Sequence, residues 1–296
     1  MKSRRKVEKL MYIHMNGALV PKEKAQISPF DHGYLYGVGL FETLRVYNRH
    51  PFLLADHVDR LNNGLEKIGI KAQYSIDEWH RYIIELLDRN GYDDAYIRMN
   101  VSAGYAELGL SAEEYLEPTT IIFSKPLPMS TDFPEKKACI LKTKRNTPET
   151  GVRLKSIHFL NNVIAKQELG HDPTQEGIFL NEQGYLAEGI VSNLFWVKEH
   201  IVYTPSVDIG ILNGVTRQFI CSLLKKKNVE LRVGYFQPEQ LMTADEAFMT
   251  NSIQEIVPLY AIDDYQHFPG NNGEMTKLLL NEYKKYRTHL ISRKQL

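Results

Sequence analysis

Hydrophobic residues recur along this chain with two different periods. Residues 12–20 and 95–103 form short apolar runs typical of strands, and Asn16-Gly17 is a favoured dipeptide for a hairpin turn. Residues 54–68 instead repeat apolar side chains every three or four positions, which predicts an amphipathic helix, and 76–89 predicts another. Strands and helices alternate in this way through the chain, which favours an α/β fold with some α+β character.

A proline-rich polar stretch interrupts the pattern near the middle of the chain. Residues 125–135, KPLPMSTDFPE, carry three prolines between two strand-like runs and are therefore a linker candidate. We expect a smaller N-terminal α/β domain over 11–124 and a larger C-terminal domain over 136–296, with a ligand cleft between them. The basic residues 1–10 have no following apolar segment, so we interpret them as an extension that is mobile.

The amino-acid composition argues against several classes of function. Lys plus Arg equals Asp plus Glu at 36 each, so no overall field would attract nucleic acid or an anionic membrane. The chain contains no run of about 18 apolar residues, which a membrane-spanning helix would require. Cys139 and Cys221 are too few for a disulfide framework and lack metal-ligand spacing, which favours a cytoplasmic protein without a metal site.

The segment RLKSIHFLNNVIAKQ, residues 153–167, contains the strongest candidate for chemistry. A lysine is usually a hydrated surface charge. Here Lys155 precedes an apolar repeat whose spacing predicts a helix starting just after it, which places the lysine at the end of a strand or loop. A rigid scaffold can aim a side chain held in that position. The four apolar residues of the repeat are Phe159, Leu160, Val163 and Ile164.

Several motifs in the same order resemble one family. They are SPFDHGYLYGVGLFETLRVY at 28–47, DHVDRL at 56–61, RNTPE and RLKS within 145–156, AEGIVSNLFW at 187–196, YTPSVDIGILNGVTRQFI at 203–220 and LMTADEAFMTNS at 241–252. From about Met11 onward the chain resembles the class IV aminotransferases, which use pyridoxal phosphate in a two-domain fold type IV arrangement like that of D-amino acid aminotransferase. Within this family it is most similar to the aminodeoxychorismate lyases of bacilli.

The resemblance implies a role for specific residues. Lys155 would carry the cofactor covalently and act as the catalytic base, and Glu188 would contact the pyridine nitrogen and keep the ring protonated. The other cofactor candidates are Arg60, Ser192, Asn193, Val215, Thr216 and Thr250. The substrate candidates are Phe41, Thr43, Arg98 and Asn251. Relatives of this fold type are homodimers, so a homodimer is expected.

For some of these residues the local pattern allows a second interpretation. Arg60 lies off the apolar stripe of its helix, which predicts solvent exposure, whereas the family motif predicts a contact with the cofactor phosphate. Thr216 could cap a helix, bind phosphate, or do both. Arg98, inside an apolar strand, must face water or meet a buried anion such as a substrate carboxylate. The glycines at 33, 37 and 39 could cradle a phosphate or only permit a tight backbone path.

The resemblance predicts a lyase that converts aminodeoxychorismate to p-aminobenzoate and pyruvate in folate synthesis. The alternative is a D-amino acid or branched-chain aminotransferase, because the same residues start both reactions. Two positions favour the lyase: this chain has Leu160 and Phe41 where the two kinds of transaminase have tyrosine. A cofactor-binding protein without turnover and a plain α/β interaction domain are hypotheses from other classes; the first would fail to react with any amine, and the second would show no cofactor absorbance.

Overall fold

The computed structural model describes residues 10–129, 134–264 and 266–296. The expected mobile extension at 1–10 therefore lies, apart from Leu10, outside the described residues. Within them, no helix combines the length and the apolar character that crossing a membrane requires.

The first half of the chain builds a six-stranded antiparallel sheet in the order β2-β1-β6-β5-β3-β4. Two long helices, α2 and α3, supply apolar side chains to its core, because each carries one apolar stripe. The elements are β1 (Tyr12–Met15), β2 (Ala18–Pro21), α1 (His32–Tyr36), β3 (Gly39–Tyr47), β4 (His50–Pro51), α2 (Leu54–Lys67), α3 (Ile76–Asn90), β5 (Ala95–Ser102) and β6 (Thr119–Pro126).

The second half builds a nine-stranded mixed sheet in the order β12-β11-β10-β13-β14-β7-β8-β9, with β15 paired to β14. Its elements are β7 (Lys136–Ile140), α4 (Leu160–Leu169), β8 (Gln175–Leu180), β9 (Leu186–Gly189), β10 (Asn193–Lys198), β11 (Ile201–Pro205), α5 (Val215–Lys226), β12 (Leu231–Gly234), α6 (Pro238–Met242), β13 (Glu246–Asn251), β14 (Glu255–Ile262), β15 (Gln266–His267) and α7 (Glu274–Tyr286).

The two halves share an apolar core. Tyr47 and Phe52, at the end of the first sheet, are buried with Phe219 of α5 and Tyr283 of α7. The rings of Phe52 and Phe219 meet edge to face with centroids 5.3 Å apart. Packing of this kind holds the halves together and leaves a cleft beside the contact. The division of the chain at 125–135 remains a prediction; β6 extends to Pro126, so the first two residues of that stretch pair within the sheet.

Most of the predicted elements are confirmed. The hairpin turns at Asn16 and Gly17, both with positive φ, and the helix predicted over 54–68 is α2. The apolar repeat after Lys155 forms α4, which begins only at Leu160. Its apolar side chains are exposed rather than buried: Leu160 is 69% exposed and Val163 and Ile164 are each 44% exposed.

Candidate active site

A cleft of about 330 Å³ lies between the two sheets, within the size range of small-molecule sites. Every residue to which the resemblance gives a role lines it: Phe41, Thr43, Arg60, Arg98, Lys155, Glu188, Ser192, Asn193, Val215, Thr216, Thr250 and Asn251. These residues come from both halves of the chain, and the fold brings them together. Their individual roles remain predictions.

The segment that carries Lys155 crosses from one half to the other. Arg153 forms a parallel bridge with Leu212 of the second half. Two residues later, the Lys155 carbonyl accepts a hydrogen bond from Phe41 N at 2.9 Å, and Ile157 N donates to Gly39 O at 3.1 Å. Backbone bonds to both halves thus fix the lysine, as expected of a residue that must be held in one geometry.

Lys155 is half-buried at the cleft, beside other cations. Burial is the main cause that lowers the pKa of Lys155 to about 8, and the nearby charges of Arg60 and Arg98 lower it further, against the opposing effects of Glu42 and Glu188. The ammonium nitrogen lies 4.7 Å from the centre of the Phe41 ring. Roughly a tenth of the amine is therefore neutral at pH 7, far more than for an ordinary lysine, and the neutral amine is the state that attacks a carbonyl or takes a proton.

Arg60 is held against the cleft by a buried carboxylate. Its Nε donates to Glu42 Oε1 at 2.7 Å and its Nη2 to Glu42 Oε2 at 2.6 Å, and only 18% of its side chain is exposed. The prediction of a solvent-facing arginine, made from helical periodicity, is therefore wrong. The stripe of α2 packs on the first sheet, but Glu42 of β3 gives Arg60 a buried partner beyond the edge of that stripe.

At another part of the cleft, Glu188 of β9 is surrounded by donors. Its Oε1 accepts from Arg145 Nε at 2.8 Å, and Arg153 Nε lies 3.8 Å away. Its Oε2 accepts from Leu212 N at 3.0 Å and from Asn193 Nδ2 at 3.4 Å. Two guanidinium groups around one buried carboxylate keep its charge fixed in position.

Asn193 connects Glu188 to the start of α5, whereas Ser192 is bonded to a different carboxylate, that of Glu176. Asn193 Nδ2 also donates to Leu212 O at 2.8 Å, and Ser192 Oγ donates to Glu176 Oε1 at 3.4 Å. A Cβ added to Gly214 would lie 2.1 Å from Asn193 Oδ1, so only glycine lets the start of α5 approach this closely. Asn193 thus sets the distance between the β10 strand and the helix.

The amino end of α5 points its first N–H groups at the cleft. The cap residue is Gly214, without a side-chain cap, and Thr216 is the second residue of the helix. Thr216 is therefore not the cap, and the N-cap interpretation is wrong. The unpaired N–H groups and the helix dipole favour an anion in the cleft at this point.

Thr250 of β13 lies in the same region and is 1% exposed. Its Oγ1 is buried without a hydrogen-bond partner among the described residues. A buried hydroxyl without a hydrogen-bond partner costs free energy. A ligand that accepts a hydrogen bond from this hydroxyl would offset that cost. An anion at the amino end of α5 fits that requirement.

The substrate candidates gather around Phe41. The Arg98 guanidinium lies 3.8 Å from the centre of the Phe41 ring, and its Nε donates to Asn100 Oδ1 at 2.8 Å. Thr43 is paired with Arg98 across β3 and β5. Asn251 instead accepts from Gln254 N at 2.7 Å, so its amide is engaged in its own turn. Arg98 is thus directed to the cleft rather than to bulk water, in agreement with the buried-anion alternative.

The glycines at 33, 37 and 39 do not belong to this site. None of them is among the described residues that line the cleft. Gly37 has a φ of 71°, and a Cβ there would lie 2.1 Å from His158 Cδ2. The structure therefore supports the tight backbone path and not the phosphate cradle.

Sequence reasoning missed part of the site. Arg145, Arg153 and Ser252 line the cleft, and Glu42 and His57 are buried directly behind Arg60. A signal existed for Glu42, a charged residue inside the apolar strand FETLRVY, because such a charge requires a buried partner. Leu160 itself is not among the described residues that line the cleft, although its neighbour Phe159 is.

Comparison with known proteins gives concordant results. A model of the family Amino-transferase class IV matches residues 39–262. The chain is 44% identical to the aminodeoxychorismate lyase of Bacillus subtilis (strain 168) over 284 residues, which are 95% of this chain and 97% of the relative. Its fold is similar to the crystal structure of the Escherichia coli branched-chain amino acid aminotransferase, with a TM-score of 0.85, 29% identity and 95% coverage of both chains. The branched-chain amino acid aminotransferase of T.th., complexed with N-(5'-phosphopyridoxyl)-L-glutamate, gives a TM-score of 0.84, 28% identity and 95% coverage of both chains.

Proposed function

Because the chain belongs to the class IV aminotransferases, we propose that it is a pyridoxal phosphate enzyme that converts aminodeoxychorismate to p-aminobenzoate and pyruvate, a step of folate biosynthesis. The observation that carries the proposal is the 44% identity, along nearly the full length of both chains, to a relative with that lyase activity in its name. The cleft, which Lys155 lines, supplies the site that this activity requires.

The cleft has a group for each part of the cofactor. When bound, pyridoxal phosphate supplies an aldehyde that bonds to amines and a protonated ring that accepts electrons. The phosphate would lie at the amino end of α5, where Val215 and Thr216 N–H groups, the Thr250 hydroxyl and Arg60 can donate to it. Glu188 would hold the proton of the ring nitrogen. Asn193 would orient this carboxylate from behind, and Ser192, held by Glu176, would line the cofactor site beside it.

Lys155 has two tasks in this proposal. Its lowered pKa supplies a neutral amine that can bond to the cofactor. Displaced by the substrate amine, the Lys155 Nζ would be free to take the proton from the substrate carbon that bears the amine. The bond from the neighbouring carbon to the enolpyruvyl oxygen would then break, and enolpyruvate would leave and take up a proton to become pyruvate. The ring that remains would be aromatic, which makes the step strongly downhill.

The substrate end is positively charged. Both products are carboxylates, and Arg98 is the cation that projects over the Phe41 ring at the substrate side of Lys155. We assign a substrate carboxylate to Arg98 and contact with the substrate ring to Phe41. Thr43, beside Arg98, would hydrogen-bond the substrate, and Asn251 would shape the turn that faces it.

We propose that the protein is a homodimer. Among the exposed apolar side chains of the described residues are two groups: Leu108, Leu110 and Leu116 in the loop between β5 and β6, and Leu160, Val163 and Ile164 on α4. Exposed apolar groups of this extent are typical of an interface. Leu160→Asp should shift the protein to a monomer in sedimentation velocity, whereas Lys166→Asp, an exposed change on the same helix, should not. A dimer that persists in Leu160→Asp would contradict an interface at α4.

A cytoplasmic location agrees with the cysteine content. We propose this location because two cysteines, Cys139 and Cys221, are too few for a disulfide framework.

The alternative is an aminotransferase that acts on D-amino or branched-chain amino acids, since both structural relatives above are branched-chain enzymes. One experiment separates the two. Purified protein is incubated with aminodeoxychorismate generated in place, and p-aminobenzoate fluorescence is followed beside transamination of D-alanine and leucine. Rapid release of p-aminobenzoate is expected. Transamination without that release would leave the cofactor site in place and would reject the lyase.

A further inference from the structure

A chain of buried hydrogen bonds leads from Arg60 away from the cleft and back to it. Glu42 and His57 are each 1% exposed. Besides the two bonds from Arg60, Glu42 Oε2 accepts a hydrogen bond from His57 Nδ1 at 2.7 Å. Burial alone would raise the pKa of Glu42, but Arg60 and His57 outweigh it and lower this pKa to about 2. Glu42 is therefore an anion at neutral pH, and His57 Nδ1 must carry a hydrogen.

The other nitrogen of His57 faces the cleft through one hydroxyl. His57 Nε2 lies 3.4 Å from Ser252 Oγ, and Ser252 lines the cleft. Burial lowers the pKa of His57, so the ring is neutral at neutral pH when no anion is bound in the cleft. In a neutral ring with hydrogen on Nδ1, Nε2 only accepts. In that state the hydrogen bond with His57 takes the single Ser252 hydrogen, and Ser252 can donate into the cleft only by giving up this bond.

A protonated ring reverses this hydrogen bond. The imidazolium donates from Nε2 to Ser252 Oγ, and the Ser252 hydrogen becomes free to point into the cleft. Thr216, whose Oγ1 lies 3.3 Å from Ser252 Oγ at the amino end of α5, marks the place to which it would point. The protonation state of His57 thus decides whether Ser252 can donate to an anion there while keeping its bond to His57.

We propose that His57 couples proton uptake to anion binding in the cleft. When the phosphate group binds, His57 Nε2 takes a proton from solvent and donates to Ser252, whose hydroxyl donates in turn to a phosphate oxygen. This inference rests on the proposed cofactor site and names a positioning residue for it. The ligand class is a dianionic phosphate monoester.

The charges around His57 make the ring sensitive to an added anion. Glu42 on β3 favours the imidazolium, while Arg60 on α2 and Lys155 on the crossing segment oppose it. The neighbouring Asp56 is paired with Arg293 of the C-terminal segment and faces away from the ring. On α5, Thr216 contributes a neutral hydroxyl. A dianion beside Arg60 and Lys155 cancels the two opposing charges, so protonation becomes favourable when the phosphate is bound.

The coupling predicts a specific pH dependence. His57 has a lower pKa without the anion and a higher pKa with it. Between those two values, the dissociation constant of the anion rises about tenfold for each unit of pH, because one proton is bound together with it. Binding is therefore tighter on the acid side of this window.

The test uses 4-deoxypyridoxine 5'-phosphate, which lacks the aldehyde and cannot bond to Lys155. Cofactor-free protein is titrated with it by calorimetry at pH 7.5 in buffers of different ionisation enthalpy, which counts the protons taken up. Wild type should take up more protons than His57→Gln, which keeps a donor near the Nε2 position without titrating, by up to about one proton per site. Ser252→Ala should lose the same uptake. His80→Gln, an exposed change on α3, should match wild type.

The outcomes separate this inference from the cofactor proposal. Equal proton uptake in wild type and His57→Gln would overturn the coupling while leaving the cofactor site in place. Full uptake in Ser252→Ala would also overturn it, because the hydroxyl would not be the connection. Failure of wild type to bind the analogue at all would reject the cofactor site itself. Any proton taken up by the cofactor ring nitrogen beside Glu188 is the same in all variants. It therefore cancels when the proton uptake of a variant is subtracted from that of wild type.

Discussion

Replacing Glu188 by glutamine removes one charge and keeps the shape of the side chain. The amide oxygen can still accept from Arg145, but Arg145 and Arg153 lose the carboxylate that neutralises them. Removing one partner of a buried ion pair costs about 3–5 kcal/mol, and the retained acceptor places Glu188→Gln near 3 kcal/mol. Denaturant unfolding of the cofactor-free protein measures this loss of stability.

The chain offers a matched control for the chemical part of the effect. Glu176, on the neighbouring strand β8, is also buried and pairs with Lys136 Nζ at 3.1 Å, but it does not line the cleft. Glu176→Gln should lose a similar amount of stability. Only Glu188→Gln should lose the charge-assisted bond to the cofactor ring, about 1.5–3 kcal/mol, or roughly a 10- to 150-fold lower kcat.

The assay is the rate of p-aminobenzoate formation with saturating cofactor and substrate. Bound cofactor is quantified by its absorbance in each variant, so that a loss of turnover is distinguished from a loss of binding. If Glu188→Gln retains the kcat of Glu176→Gln, the role assigned to Glu188 in holding the ring proton is refuted.

The same geometry leads us to expect the outcome of two further substitutions and of one pH dependence. Thr250→Val removes a buried hydroxyl that has no partner among the described residues, so the cofactor-free protein should be at least as stable, while cofactor affinity measured by absorbance titration falls roughly tenfold; an unchanged affinity would contradict the assignment. Arg98→Gln should raise KM at least about tenfold without changing cofactor affinity, and an unchanged KM would remove Arg98 from the substrate site. Because burial, aided by Arg60, lowers the pKa of Lys155 to about 8, cofactor uptake by cofactor-free protein should accelerate as pH rises through 8 and then level off; acceleration only near 10.5 would show an unperturbed lysine.

Much of the local structure could be predicted, because each helix or strand carries its own pattern. The stripe of α2 and the turn at Asn16 are local features, and the structure confirms them. The gathering of Lys155, Glu188 and Arg60 at one cleft came from the family resemblance rather than from periodicity. No local pattern joins residues that far apart in the chain.

Arg60 and Leu160 show the limit of what periodicity can predict. Arg60 is off the apolar stripe, but its partner Glu42 comes from a strand 18 residues earlier, which the helix pattern cannot reveal. The apolar repeat after Lys155 predicted the helix α4 but not its surroundings, and Leu160 is largely exposed. Sequence alone does not distinguish an apolar stripe that faces a core from one that faces a partner.

The most direct test of the account is the site of cofactor attachment. Protein loaded with pyridoxal phosphate is reduced with borohydride, which makes the bond between an amine and the cofactor aldehyde permanent, and its peptides are then identified by mass spectrometry. The account predicts one labelled peptide, with the label on Lys155, its loss in Lys155→Ala, and its retention in Lys166→Ala. A label on another lysine, or full p-aminobenzoate formation by Lys155→Ala, would contradict it.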